Sequence, residues 1–72
     1  MKGGGYMDAA KKIKQYIADN GLKQIYVAEK AGIEFAVFNA ILNGKTRLDV
    51  ERLERISKAL GVEPGFFLSQ NS

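Results

Sequence analysis

The stretch that most restricts this chain is residues 24–44. It reads Gln24-Ile25-Tyr26-Val27-Ala28-Glu29-Lys30-Ala31-Gly32-Ile33, followed at once by Glu34-Phe35-Ala36-Val37-Phe38-Asn39-Ala40-Ile41-Leu42-Asn43-Gly44. The spacing predicts two short helices meeting at Gly32, with small Ala28 one turn before the corner and apolar Phe38 and Ile41 one turn apart after it. Two helices cross closely only where the contact residue is tiny, which suits Ala28. A sharp corner favours a residue that accepts positive φ, which suits Gly32.

The remaining glycines and the single proline, Pro64, divide the rest of the chain. Asp8 is placed to cap a first helix whose apolar stripe is Ala9, Ile13, Tyr16 and Ile17, stopped by Asn20-Gly21. The second helix is expected over about 23–31 and the third over about 35–42, where Asn43-Gly44 is a favoured C-terminal pair. After a loop, Lys45-Thr46-Arg47-Leu48, Asp49 caps a fourth helix with the stripe Val50, Leu53, Ile56 and Leu60, closed by Gly61. On its solvated side Glu51 with Arg55 and Glu54 with Lys58 lie four apart in the favourable orientation. Glu63 to Leu68 reads as a last helical turn with Pro64 at its first position. With no strand pattern, the fold class is all-α. Residues 1–7 are expected to be a flexible leader, 8–68 one compact five-helix domain, and 69–72 a loose tail.

Composition narrows the chemistry. Seventy-two residues form one small domain, able to bury about 60% of its unfolded surface. The chain has no cysteine, so no disulfide framework, thiolate zinc site or thiol nucleophile. It has no histidine, the usual general base and commonest metal ligand. No paired carboxylates or glycine-rich phosphate loop stand in for them, so an enzyme is the poorest of the candidate classes and no metal or other cofactor is expected. The formal charge of +3 suits a polyanionic partner, although such an excess is common on small domains. No apolar run approaches the roughly 18 residues of a membrane span. Met1 to Tyr6 lacks the apolar core of a signal peptide, which makes a cytoplasmic location the expectation.

Two helices in this arrangement have the shape of a helix-turn-helix, which offers its second helix to the DNA major groove. The chain resembles the phage-repressor type, the lambda-repressor-like (Cro-like, XRE-type) family, over about residues 9–68. The resemblance is carried by Gln24, Val27-Ala28, Gly32-Ile33, Phe38, Ile41, Asn43-Gly44-Lys45 and Ile56-Ser57-Lys58-Ala59-Leu60-Gly61-Val62. It implies a five-helix bundle that binds operator DNA, usually as a dimer, and regulates transcription. By position it implies a phosphate contact at Gln24 and a groove-facing set of Phe35, Ala36, Asn39 and Ala40. Asn43, Lys45 and Arg47 then approach the backbone beyond the third helix, with Lys23 and Lys30 next in line. The chain departs from the family pattern in three places. Lys23 stands where a Ser, Thr or Asn cap is common. Ile25 and Tyr26 occupy positions that are usually polar, and the groove face is poor in donors. Many relatives also pair a base near Ile17 with an acid near Leu42; both are aliphatic here, and Ile17 is expected to pack on Leu42.

Each of these residues has a second reading. Gln24 is a phosphate donor or an exposed helix-start glutamine. Asn39 is an amide able to contact adenine N6 and N7 together, or a solvated capping side chain. Phe35, Ala36 and Ala40 touch thymine methyls, or Phe35 is peripheral core and the alanines merely permit close approach. Lys45 and Arg47 are phosphate contacts or ordinary exposed loop cations. Glu34 opposes DNA and suits a helix N-terminus instead. Val37, Phe38, Ile41, Leu53, Ile56 and Leu60 are expected in the core. Of Phe66 and Phe67, one is expected buried and the other partly exposed, with Phe66, Phe67 or Leu68 serving a weak homodimer contact. The rival reading is a protein-interaction module on the same fold, antitoxin-like or anti-repressor, using Ile25, Tyr26 and Phe35.

Overall fold

The computed structural model describes residues 5–68, and the regular structure among them is entirely helical: α1 (Gly5–Asp19), α2 (Gln24–Ala31), α3 (Phe35–Leu42), α4 (Val50–Leu60) and α5 (Gly65–Leu68). α2 packs on α4 and on α3, and α1 packs on α3 and α5, giving a body of 31 × 22 × 19 Å. None of these helices is long and apolar enough to cross a membrane.

One backbone device ends each of the first four helices. At Gly32 the chain turns left-handed (φ 71°). The Gly32 N–H then donates to the Glu29 carbonyl and the Ile33 N–H reaches back to Ala28, at 3.1 and 3.0 Å. This pair of bonds satisfies carbonyls that a helix end leaves unpaired. The same pair recurs at Gly21, Gly44 and Gly61, all at positive φ. The residue after the glycine is Leu22, Ile33 and Val62 at three of these corners, apolar as the motif favours, and Lys45 at the fourth.

The core joins Ala9, Ile13 and Ile17 of α1, Val27, Ala28 and Ala31 of α2, Phe38, Ile41 and Leu42 of α3, Leu53 and Ile56 of α4, Leu48 of the loop and Phe67 of α5. Each larger member contributes about 1.5–3 kcal/mol by leaving water. Ile17 and Leu42, expected to pack together, are both buried in this cluster. Val37 and Leu60 pack against the core's margin, half-buried. Asp49 caps α4, its carboxylate accepting from the Arg52 backbone N–H at 2.8 Å. Phe67 is buried and Phe66 is exposed, as expected of that pair. Both rings meet Tyr16 edge to face, with centroids 5.7 and 5.6 Å away. Phe67 therefore closes the bundle and is withdrawn from any role between protomers.

The structure corrects four details. α1 starts at Gly5, ahead of the expected cap, because a helix whose body is held by packing extends cheaply past a local stop. Asp8 thus lies in the first turn, where its charge meets the free amides favourably. Val50 is half-exposed although it belongs to the predicted stripe, being the first residue of α4 with helix on one side only; Ser57 is buried in its stead. Pro64 precedes α5 rather than opening it. On α4, Arg55 pairs with Glu51 at 3.3 Å, whereas Glu54 and Lys58 do not close a bridge. Residues 1–4 of the expected leader and 69–72 of the expected tail lie outside the described residues.

Candidate nucleic-acid interface

α3 has two unlike sides. Phe38, Ile41 and Leu42 are buried, while Phe35 is 43% exposed, Ala36 is exposed, and Asn39 and Ala40 are half-covered. These outward residues fall at spacings of one, four and five, which is one face of a helix. The corner at Gly32 thus turns the outer side of α3 away from the interior. Arg55 braces that corner from α4, its Nη1 donating to the Gly32 carbonyl at 3.4 Å.

The expected site residues do not all sit apart. Asn39 Nδ2 donates to Gln24 Oε1 at 3.4 Å, tying the middle of α3 to the first residue of α2. Asn43 Nδ2 donates to the Asn39 carbonyl at 2.9 Å and to Asn39 Oδ1 at 3.2 Å. Lys14 Nζ, from α1, donates to Asn43 Oδ1 at 2.9 Å. Gln24, Asn39 and Asn43 are therefore one connected cluster, joined by a lysine that sequence reasoning passed over. Its only sequence signal is its place beside buried Ile13 and one turn before Ile17, at the edge of the stripe. The bond orientations matter chemically. Because Gln24 accepts through its oxygen, both protons of its Nε2 stay available to a phosphate, and Asn39 keeps one amide proton and one oxygen lone pair for a base edge.

Cations divide by location. Arg52 and Arg55 of α4 are paired with Asp49 and Glu51, each at 3.3 Å. Lys14, Lys23, Lys45 and Arg47 are exposed and have no carboxylate partner among the described residues. Lys23 holds the N-cap position of α2 without a side-chain cap, and Lys45 follows the glycine that ends α3. Glu34 holds the N-cap position of α3 and makes no side-chain cap bond either. Lys30 lies over the Tyr26 ring, 5.6 Å from its centroid, which gives it a local partner. Ile25 and Tyr26 are each 52% exposed. The described residues hold no cluster of carboxylates with metal-binding geometry.

Fold and site together define a helix-turn-helix domain with an outward second helix. Residues 13–67 match the helix-turn-helix family model, and the chain belongs to this family, the Cro/C1-type XRE group. The family is one of DNA-binding regulators and is generally non-enzymatic. Comparison with curated proteins and with solved structures returns no match.

Proposed function

We propose that this protein is a sequence-specific, DNA-binding transcriptional regulator that works in the cytoplasm. α3 enters the major groove of an operator, with Asn39 contacting a base edge and Phe35, Ala36 and Ala40 meeting thymine methyls. Gln24, Lys23, Lys45 and Arg47 hold the flanking phosphates, which set register but carry no sequence information. The observation that carries this reading is the pairing of an unburied α3 face with cations that no carboxylate among the described residues neutralises. So apolar a groove face leaves much of the specificity to DNA shape. A weak dimer through exposed Phe66 and Leu68 would set two such helices about 34 Å apart on a palindromic site.

Gel-shift titration of random and candidate promoter duplexes across salt tests this. Binding should weaken linearly on a log–log plot, and Lys45→Gln and Arg47→Gln should each flatten the slope by about 0.9. Half-exposed Ile25 and Tyr26 favour a second reading, a protein-interaction module. The absence of any salt-dependent DNA binding would select it.

A further inference from the structure

We propose that Lys14, on α1, is itself a contact to the DNA backbone, and that Asn43 acts there as its positioning residue rather than as a phosphate donor. The proposal rests on the reading of α3 as a groove helix. It follows from counting donors. Asn43 was expected to reach a phosphate, yet its Nδ2 has two protons and two acceptors already on them, the Asn39 carbonyl at 2.9 Å and Asn39 Oδ1 at 3.2 Å. Its own backbone N–H donates to the Asn39 carbonyl as well, at 3.0 Å. Its side-chain oxygen is taken by Lys14 Nζ at 2.9 Å. Asn43 thus has no proton left to offer an anion without breaking a bond it already makes.

Lys14 is in the opposite condition. An ammonium has three donors, and one is spent on Asn43. Because that partner is a neutral amide, the full positive charge remains, unlike the arginines of α4, which face carboxylates. The bond spans 29 residues of sequence and brings an α1 cation to the C-terminal end of α3, the end from which Lys45 and Arg47 continue. The anchor continues inward, from Asn43 to Asn39 and from Asn39 to Gln24. A phosphate held by Lys14 therefore shares one hydrogen-bonded frame with the candidate base reader and with the candidate phosphate donor at the start of α2. A lysine held in this way loses less side-chain freedom on binding than one that moves freely.

The test measures affinity for a random-sequence DNA duplex as a function of salt, using the full chain and its variants Lys14→Gln, Asn43→Ala, Lys45→Gln and the double variant Lys14→Gln/Asn43→Ala. Loss of one phosphate contact should flatten the Lys14→Gln slope by about 0.9, which corresponds to roughly eightfold weaker binding near 0.1 M salt. The thermal midpoint should stay where it is, because Lys14 is exposed. Lys14→Gln should weaken binding less when Asn43 is already alanine. If Lys14→Gln keeps the parent slope while Lys45→Gln flattens it, Lys14 is not a contact and the proposal falls, with the DNA reading intact. If the two single effects simply multiply in the double variant, Asn43 does not position Lys14. If the unaltered chain shows no salt-dependent binding, the DNA reading itself fails and this inference goes with it.

Discussion

Gly32→Ala puts a methyl group on the residue that turns α2 into α3. The backbone there sits at φ 71°, where an L side chain meets the following carbonyl at a cost of about 1–2 kcal/mol. The new Cβ would also lie 3.4 Å from Arg55 Nη1, at the edge of ordinary contact and at the end of a flexible side chain, so sterics should add little. Against this, alanine stiffens the unfolded chain and offsets roughly 0.4–1 kcal/mol. The net expectation is a loss of about 1 kcal/mol, or roughly 4–8 °C in thermal midpoint for a domain of this size. Gly44→Ala is the matched control. Its φ is 76° and its added Cβ meets nothing within 4 Å, so it isolates the backbone term and should cost about the same. Gly65→Ala should reverse the sign, since Gly65 is helical with open space around it and alanine restricts the unfolded chain, a gain of about 0.4–1 kcal/mol. Thermal and urea unfolding followed by circular dichroism would read all three. An unchanged or raised midpoint for Gly32→Ala would refute the argument. A loss at Gly32 with none at Gly44 would shift the cause from the backbone to the Arg55 contact.

Ser57 is wholly buried and its hydroxyl has no hydrogen-bond partner among the described residues, so Ser57→Ala should leave stability unchanged or raise it by about 1 kcal/mol in urea unfolding. A clear loss would mean that the hydroxyl is bonded in solution. Asp49→Ala removes the acceptor of the Arg52 N–H and its ion pair, and should cost about 1 kcal/mol. Asp49→Asn, which keeps the cap, should recover most of that in the same assay. Phe35→Ala should weaken operator binding while leaving the thermal midpoint in place, because the ring is substantially exposed. A drop of several degrees would make Phe35 a core residue instead.

Where a helix begins or ends on a local chemical signal, the primary structure was sufficient. Asp49 and Gly61 bracket α4, and Gly32 and Asn43-Gly44 end α2 and α3, because capping bonds form within a few residues of the positions that specify them. α1 was harder at its start, since extension past Asp8 depends on what the rest of the helix packs against. The exchange of Val50 for Ser57 on the buried side of α4 has the same origin. Polarity describes a residue, whereas burial also depends on how far along the helix its neighbours reach. The outer face of α3 was legible through the family resemblance, which set Phe35, Ala36, Asn39 and Ala40 opposite the buried Phe38 and Ile41. The bonds that organise it were not. Gln24 with Asn39 spans 15 residues and Lys14 with Asn43 spans 29, and nothing short of the packed bundle says which amides meet. Reading each residue separately therefore could not show that Asn43 is bonded to Asn39 and to Lys14.

Four helix ends locked by the same pair of backbone bonds leave little slack at the joints between helices. With α3 docked as proposed, a domain built this way would meet a double helix as a solid die rather than a closing hand. Mutual fit must then come largely from the nucleic acid, so stiff and pliable base steps next to the contacted ones should weigh on affinity as much as the contacted bases do.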